Sequence, residues 1–381
     1  MISLARGSFT YLQPTKIIFG AGSFSRAGEL AKPCTPKKTL LVTGRSSMRK
    51  FGFVQKLEKQ MRAPGSEVIL YEKISQNPPE GEVDEGAEIC RREGIDFVVA
   101  LGGGSAMDAG KAIAALARNE GKCRDYLIGR KTFACKGLPC MCIPTTSGTS
   151  SEISRYSVIT LMPENKKKGM ASGFLHADLA LIDPELAKTM PPDVTAATGL
   201  DVLAHAVEAY WNTASDPISR NNALKAIELV SANLPRAYKN GGNMQARTNM
   251  SLSTIFAGLA FNGPGTTSLH AVSYYLTTNF GLAHGSACAI AMPAFMRFNA
   301  EKDKHTLLEI SRAMGQRDVE SAAQFVERLL KRMNVPTHLS QIGATEKGLD
   351  AIVKDSMRPN MLRNPRRVSE KELKKLLRGI L

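Results

Sequence analysis

The period of the apolar positions changes near the middle of the chain. In the first half, short continuous apolar runs alternate with segments whose apolar residues recur every three or four positions. Lys38–Gly44, Glu67–Ile74, Asp96–Leu101, Pro139–Thr146 and Ala180–Pro184 read as buried strands. Lys50–Arg62, Glu82–Glu93 and Ala106–Arg118 carry the helical period. Such alternation predicts a largely parallel sheet covered by helices. Beyond Met190-Pro191-Pro192-Asp193 strand signals almost vanish. Helical spacing runs through Val194–Asn212, Ile218–Tyr238, Ala246–Ala260, Ser286–Asn299, Val319–Met333 and Lys371–Leu381. Asp193, behind two prolines, is the expected N-cap of the first of these. The pattern predicts an α/β domain over residues 1–188 and an all-helical domain over 189–381.

Composition narrows the class. An apolar fraction of 43% over 381 residues suffices for two cores and excludes a disordered or fibrous chain. The longest apolar runs, such as Phe97–Leu101 and Cys288–Met292, are too short to span a bilayer. Met1–Gly7 carries no secretory apolar stretch, and the seven cysteines have no framework spacing. Free thiols in a reducing cytoplasm are the expectation. Cys140 and Cys142, two apart on a predicted strand, share one face and read as packing residues. The net charge of +15 is spread along the chain, with local runs only at Lys166–Lys168 and Arg363–Arg367. No aromatic interleaving accompanies these runs, so a solvated basic surface is the better account than a nucleic-acid site. Such a surface still gathers anionic ligands.

Three polar loops follow predicted strands. Phe97–Leu101 runs into Gly102-Gly103-Gly104-Ser105 and then a helical start. Glycines there let the backbone approach a pyrophosphate, and the free N–H groups of the following helix bind it. The spacing is not GxGxxG, which argues against the ordinary dinucleotide fold. Pro144-Thr145-Thr146-Ser147-Gly148-Thr149-Ser150-Ser151-Glu152 and Thr43-Gly44-Arg45-Ser46-Ser47 supply further hydroxyls and donors. Three such loops at the carboxyl ends of one sheet point to a shared crevice. No carboxylate follows Gly44, and Arg45 does; that favours NADP(H) over NAD(H).

The helical half holds Asp201, His205, His270 and His284. Asp201 and His205 stand at i and i+4, so one helical face presents both to one ion. Spacing alone does not join the other two to them. A carboxylate with imidazoles suits Fe²⁺ or Zn²⁺. His176, His305 and His338 read as ordinary core or surface residues.

GGGSAMDAGKAIA (102–114), PTTSGTSSE (144–152), IDPEL (182–186), ATGLDVLAHAVEAY (197–210) and GLAHGSACAIAMP (281–293) resemble the iron-containing (group III) alcohol dehydrogenases. The resemblance spans nearly the whole chain in order. It implies a dehydroquinate-synthase-like fold, reversible alcohol/aldehyde interconversion with a nicotinamide cofactor, and a homodimer. It places the metal ligands on Asp201, His205, His270 and His284. It places cofactor contacts on Gly44, Asn77, Gly103, Gly104, Ser105, Asp108, Thr145, Thr146 and Thr149, with a lysine at Lys167 or Lys168. Many members carry a further histidine four residues after the third ligand; here that residue is Tyr274. With a reference pKa of roughly 10, a tyrosine is a poor base near neutrality. LHAVSYYLTTNFGLAHG (269–285) is similar to the phosphonoacetaldehyde reductase branch. Sulfoacetaldehyde is the alternative substrate, and uncharged aldehydes a third. Arg358 and Arg363 are the residues suited to a phosphonate.

The implied mechanism uses the ion as a Lewis acid on the aldehyde oxygen while the nicotinamide delivers hydride. Two readings from other classes compete. A dehydroquinate-synthase-like cyclase shares fold, metal and cofactor but shows no net redox. A basic nucleic-acid-binding module leaves the ligand set unexplained.

Overall fold

The computed structural model describes residues 8–381; Met1–Gly7, the stretch bearing on an export signal, lie outside the described residues. The described chain separates into two compact units. One comprises residues 13–146 and 150–189, the other residues 8–12, 147–149 and 190–381.

The first unit is built on a six-stranded sheet whose strands lie side by side in the order Lys16–Phe19, Leu179–Ile182, Cys140–Pro144, Phe97–Gly102, Lys38–Gly44, Glu67–Ile74. Its strands are β1 (Lys16–Phe19), β2 (Lys38–Gly44), β3 (Glu67–Ile74), β4 (Phe97–Gly102), β5 (Cys140–Pro144) and β8 (Leu179–Ile182). Every pairing in it is parallel. Apolar cores lie on both faces. Val98 and Ala100 belong to one, Phe97, Val99 and Leu101 to the other. That two-sided burial is why β4 reads as an unbroken apolar run. Cys140 and Cys142 share the face of Val98 and Ala100 and pack there, as their spacing predicts.

Several boundaries differ from the sequence pattern, each for a local reason. The Asp96 carboxylate accepts the backbone N–H groups of Lys37 and Lys38, so it precedes β4. Gly52, at φ 74°, breaks the predicted Lys50–Arg62 helix into Ser47–Lys50 and Phe53–Arg62. Two strands escape the pattern entirely: the short edge strand β1, and a hairpin of β6 (Tyr156–Leu161) with β7 (Lys166–Ala171). The hairpin contains the lysine run. Strand alternation buries Lys167 and leaves Lys166 and Lys168 exposed, so the run is not uniformly solvated.

Among the described residues no strand lies beyond β8, and the second unit is helical. Its central helix spans Pro192–Trp211, with every residue from Gly199 to Trp211 buried. It packs against Pro217–Lys239, Met244–Phe261 and the short helix His284–Ala289. Burial on all sides explains its nearly continuous apolar character. Asp193 is not its N-cap: Pro191 takes that place in an extended conformation and Asp193 falls in the first turn. The predicted Ser286–Asn299 helix is two, His284–Ala289 and Met292–Ala300, with Pro293 in the first turn of the second. The last helix stops at Arg378. No described helix is long and apolar enough to cross a membrane.

Candidate metal centre and dinucleotide cradle

In the α/β unit, β2, β4 and β5 are neighbours in one parallel sheet. Their carboxyl ends therefore bring Gly44, the Gly102–Ser105 turn and Thr145–Thr146 side by side. Gly102 has φ +149°, and its carbonyl accepts the Thr145 N–H at 2.9 Å. A Cβ added to Gly103 would touch the Thr146 side chain at 3.5 Å. Gly103 caps helix α1 (Gly104–Leu116), whose first turn holds no acidic residue and no side-chain cap. Bare N–H groups at the positive end of a 13-residue helix suit an anionic pyrophosphate. Ser105 stands at the same edge, its hydroxyl accepting the Asn77 N–H at 3.2 Å, with Asn77 at φ 55°.

Two residues of this unit have other engagements. Asp108 accepts the Ser151 hydroxyl and the Val158 N–H (2.9 Å) and lies 3.6 Å from the Lys111 ammonium. It ties α1 to the hairpin, and the buried Lys167 is near enough for its charge to act on it. Arg45 donates to the Lys73 carbonyl and to Glu82, whose carboxylate also holds Ser75. A carboxylate thus stands beside the β2 loop that the local sequence around Gly44 did not disclose. Thr149 lies in residues 147–149 and belongs to the helical unit.

In the helical unit the four predicted ligands converge. Asp201 and His205 lie one turn apart on α2 (Pro192–Trp211), His270 begins α3 (Ser268–Phe280), and His284 begins α4 (His284–Ala289). Asp201 Oδ1 is 3.7 Å from His205 Nδ1, 3.6 Å from His270 Nε2 and 3.9 Å from His284 Nε2. The His205 and His270 ring centroids are 4.4 Å apart, those of His270 and His284 5.3 Å. Asp201 Oδ1, His205 Nδ1 and His270 Nε2 are buried with no hydrogen-bond partner. Unpaired buried polar atoms are costly, and two imidazole nitrogens 3.7 and 3.6 Å from one carboxylate oxygen fit a divalent cation. The donor set, a carboxylate with imidazoles, suits Fe²⁺ and Zn²⁺ alike.

Burial opposes the charged form of Asp201, yet His205, His270 and His284 around it hold its carboxyl below the usual carboxylate range. Burial pushes the His205 imidazole down to about 4, leaving it neutral and able to ligate.

Two residues of the centre escaped the sequence reading. Glu208, fully buried on α2, accepts a hydrogen bond from His270 Nδ1 and from the Leu269 N–H. It is itself steadied by Thr267, which accepts the Trp211 indole N–H at 2.8 Å. Glu208 favours the tautomer of a neutral His270 that keeps its proton at Nδ1, which leaves the Nε2 lone pair for an ion. Its signal was a buried acid seven residues after Asp201 on an apolar helix. Cys288, one turn after His284, is the second. Asp201, His270, His284 and Cys288 each place a donor atom within 4.8 Å of the others, a grouping that His205 does not join.

Tyr274 lies beside the centre, its ring centroid 5.8 Å from that of His284. Burial raises its phenol, so it remains protonated near neutrality. The Arg358 guanidinium sits 4.6 Å over the Tyr274 ring and pairs with Asp355 at 2.7 Å. Arg363 instead donates to the Pro264 carbonyl. His305 and His338 are exposed, and His176 belongs to the α/β unit; none joins the centre.

Family models agree with this picture along most of the chain. The model for iron-containing alcohol dehydrogenase matches residues 14–184, and that for the C-terminal part of the Fe-containing alcohol dehydrogenase family matches 195–381. The long-chain-alcohol dehydrogenase 1 of Geobacillus thermodenitrificans is 36% identical over 335 residues, covering 85% of this chain and 84% of its own. The 1,3-propanediol dehydrogenase of Citrobacter freundii is 33% identical over 380 residues, covering 97% and 98%. Among solved structures, the sulfoacetaldehyde reductase of Bifidobacterium kashiwanohense in complex with NAD⁺ has a TM-score of 0.93 and 34% identity, covering 98% of this chain and 99% of its own.

Proposed function

Because this chain belongs to the iron-containing alcohol dehydrogenase family and is an NAD(P)-dependent oxidoreductase, we propose that it reduces a short aldehyde with an anionic tail to the primary alcohol. Phosphonoacetaldehyde, giving 2-hydroxyethylphosphonate, is the foremost substrate. The observation that carries this reading is the Arg358 guanidinium stacked over Tyr274, whose ring neighbours His284. Asp355 holds the Nε and Nη2 edge of this guanidinium, so its remaining Nη1 and its positive charge are what would meet a phosphonate or sulfonate. The likeness to a sulfoacetaldehyde reductase supports sulfoacetaldehyde as the second reading.

Asp201, His205, His270 and His284 would hold the ion, which when bound supplies Lewis-acid polarisation of the carbonyl. The chain's own residues do the rest. Glu208 fixes the tautomer and aim of His270. The Gly103–Ser105 turn and the N-terminus of α1 bind the dinucleotide pyrophosphate, with Gly44, Asn77, Thr145, Thr146, Thr149 and Lys167 as further proposed contacts. Asp108 acts mainly by keeping the hairpin, and with it Lys167, in place. Tyr274 shapes the pocket, and the proton that completes the alcohol comes from water. A reduced nicotinamide bound there would supply the hydride for the carbonyl carbon, so one NAD(P)H would be consumed per alcohol formed.

The test is a spectrophotometric screen of phosphonoacetaldehyde, sulfoacetaldehyde and uncharged aldehydes, after loading with Fe²⁺ or Zn²⁺. Anionic aldehydes should be preferred, and Arg358→Gln should raise their KM about tenfold or more, the scale of one charge-assisted contact, without moving that of an uncharged aldehyde. Equal efficiency with uncharged aldehydes would overturn the substrate assignment. Absence of sustained NAD(P)H consumption would overturn the reductase and favour a cyclase.

We also propose a preference for NADP(H), carried by Arg45. Because Glu82 already pairs with it, the discrimination is modest. Arg45→Ala should lower kcat/KM for NADPH by about tenfold and leave NADH nearly unchanged. An equal loss with both coenzymes would place Arg45 outside the discrimination.

A further inference from the structure

Cys288 is a buried thiol in the middle of a polar cluster. Cys90, Cys123, Cys140 and Cys142 are also buried, but they pack within an apolar core. Around Cys288 stand Asp201, His270, Ser273 and His284. His284 and Cys288 occupy positions i and i+4 of α4, the relation that Asp201 and His205 have on α2. Each helix thereby presents two donors from one face. Cys288, Asp201, His270 and His284 have donor atoms mutually within 4.8 Å, a separation that one ion can bridge.

On the metal reading of this centre, we propose that Cys288 Sγ is a ligand of the bound cation. The thiol loses its proton to solvent as the ion enters, and the thiolate joins the Asp201 carboxylate in balancing the ion's two charges. Thiolate is a soft donor, so its presence tilts the site toward Zn²⁺ relative to a set of imidazoles and one carboxylate.

Cobalt(II) is the probe. The metal-free full chain is loaded with one equivalent of Co²⁺ under anaerobic conditions, and its absorption spectrum is recorded beside those of Cys288→Ser and Cys288→Ala. Circular dichroism verifies that each variant is folded. The wild type should show an intense near-ultraviolet sulfur-to-cobalt charge-transfer band that both variants lack while still binding cobalt. Zinc affinity should fall in the variants by about tenfold or more, at least the effect of an outer-shell change. Stoichiometric cobalt without the band in the wild type would overturn the Cys288 assignment and leave the metal centre standing. No cobalt binding by the folded wild type would overturn both. Should the two variants prove unfolded, the wild-type spectrum alone decides.

Discussion

His270→Ala should abolish aldehyde reduction while leaving dinucleotide binding intact. His270 Nε2 is one of three buried, unpartnered atoms at the centre, and its imidazole is held in place by Glu208. Removing it takes away a ligand and also leaves the fully buried Glu208 carboxylate without its imidazole partner. Lewis-acid stabilisation is worth several kcal/mol, so a loss of about 10³-fold or more in kcat is expected. The glycine turn and the N-terminus of α1 belong to the other unit and are untouched. Titration of NADPH by fluorescence should therefore give an unchanged Kd. Near-normal turnover by the metal-stripped variant would show that this centre is not where the chemistry occurs. Glu208→Gln should fall between wild type and this variant, because the amide oxygen still accepts from Nδ1 but carries no charge.

The parts of the structure that were legible in the sequence are those where one local signal suffices. Four strands of the main sheet, β2, β4, β5 and β8, and the central helix announce themselves because both faces of each strand, or all sides of the helix, are buried, whereas β3, at the sheet edge with Glu67, Glu72 and Lys73, shows through its remaining apolar positions. β1 and the β6–β7 hairpin do not. β1 is four residues long at a sheet edge, and β7 consists largely of lysine and glycine. Nothing in the composition of β7 distinguishes a strand from a solvated run until Lys167 is seen to be buried. At the centre, the Asp201–His205 pair is local and readable. His270 and His284 arrive from separate helices, and only the family resemblance joined them to it. Glu208 and Cys288 were missed because their types are ambiguous. A glutamate on a helix is usually solvated, and a cysteine among alanines is usually packing. The coenzyme loop carries the same lesson. The absence of a carboxylate after Gly44 is a local fact, while Glu82 reaches Arg45 from the first turn of a different helix.

Gly285→Ala should empty the metal centre without touching any donor atom. Gly285 follows His284 at the start of α4, where that helix crosses α2. A Cβ at this position would lie 1.9 Å from the Ala197 carbonyl oxygen, 2.6 Å from the Asp201 nitrogen and 2.7 Å from the Asp201 Cβ. The first two are backbone atoms in a helix, so no rotamer change relieves the clash. The helices must separate by on the order of 1 Å or more to restore van der Waals distances. Such a shift carries His284 and Cys288 away from Asp201 and His205 together. Overpacking of this kind costs about 1–3 kcal/mol, a loss of several degrees in Tm. Bound metal, measured by mass spectrometry after desalting, should fall to a small fraction of the wild-type level, and turnover with it. Gly199→Ala on α2 is the matched control. Its Cβ would meet the Leu234 methyl groups at 2.3 and 2.9 Å and the Met250 methyl at 3.0 Å, all at the ends of side chains that can turn. That variant should lose stability but keep its metal. If both variants retain stoichiometric metal, close approach of α4 to α2 is not what holds the four donors together.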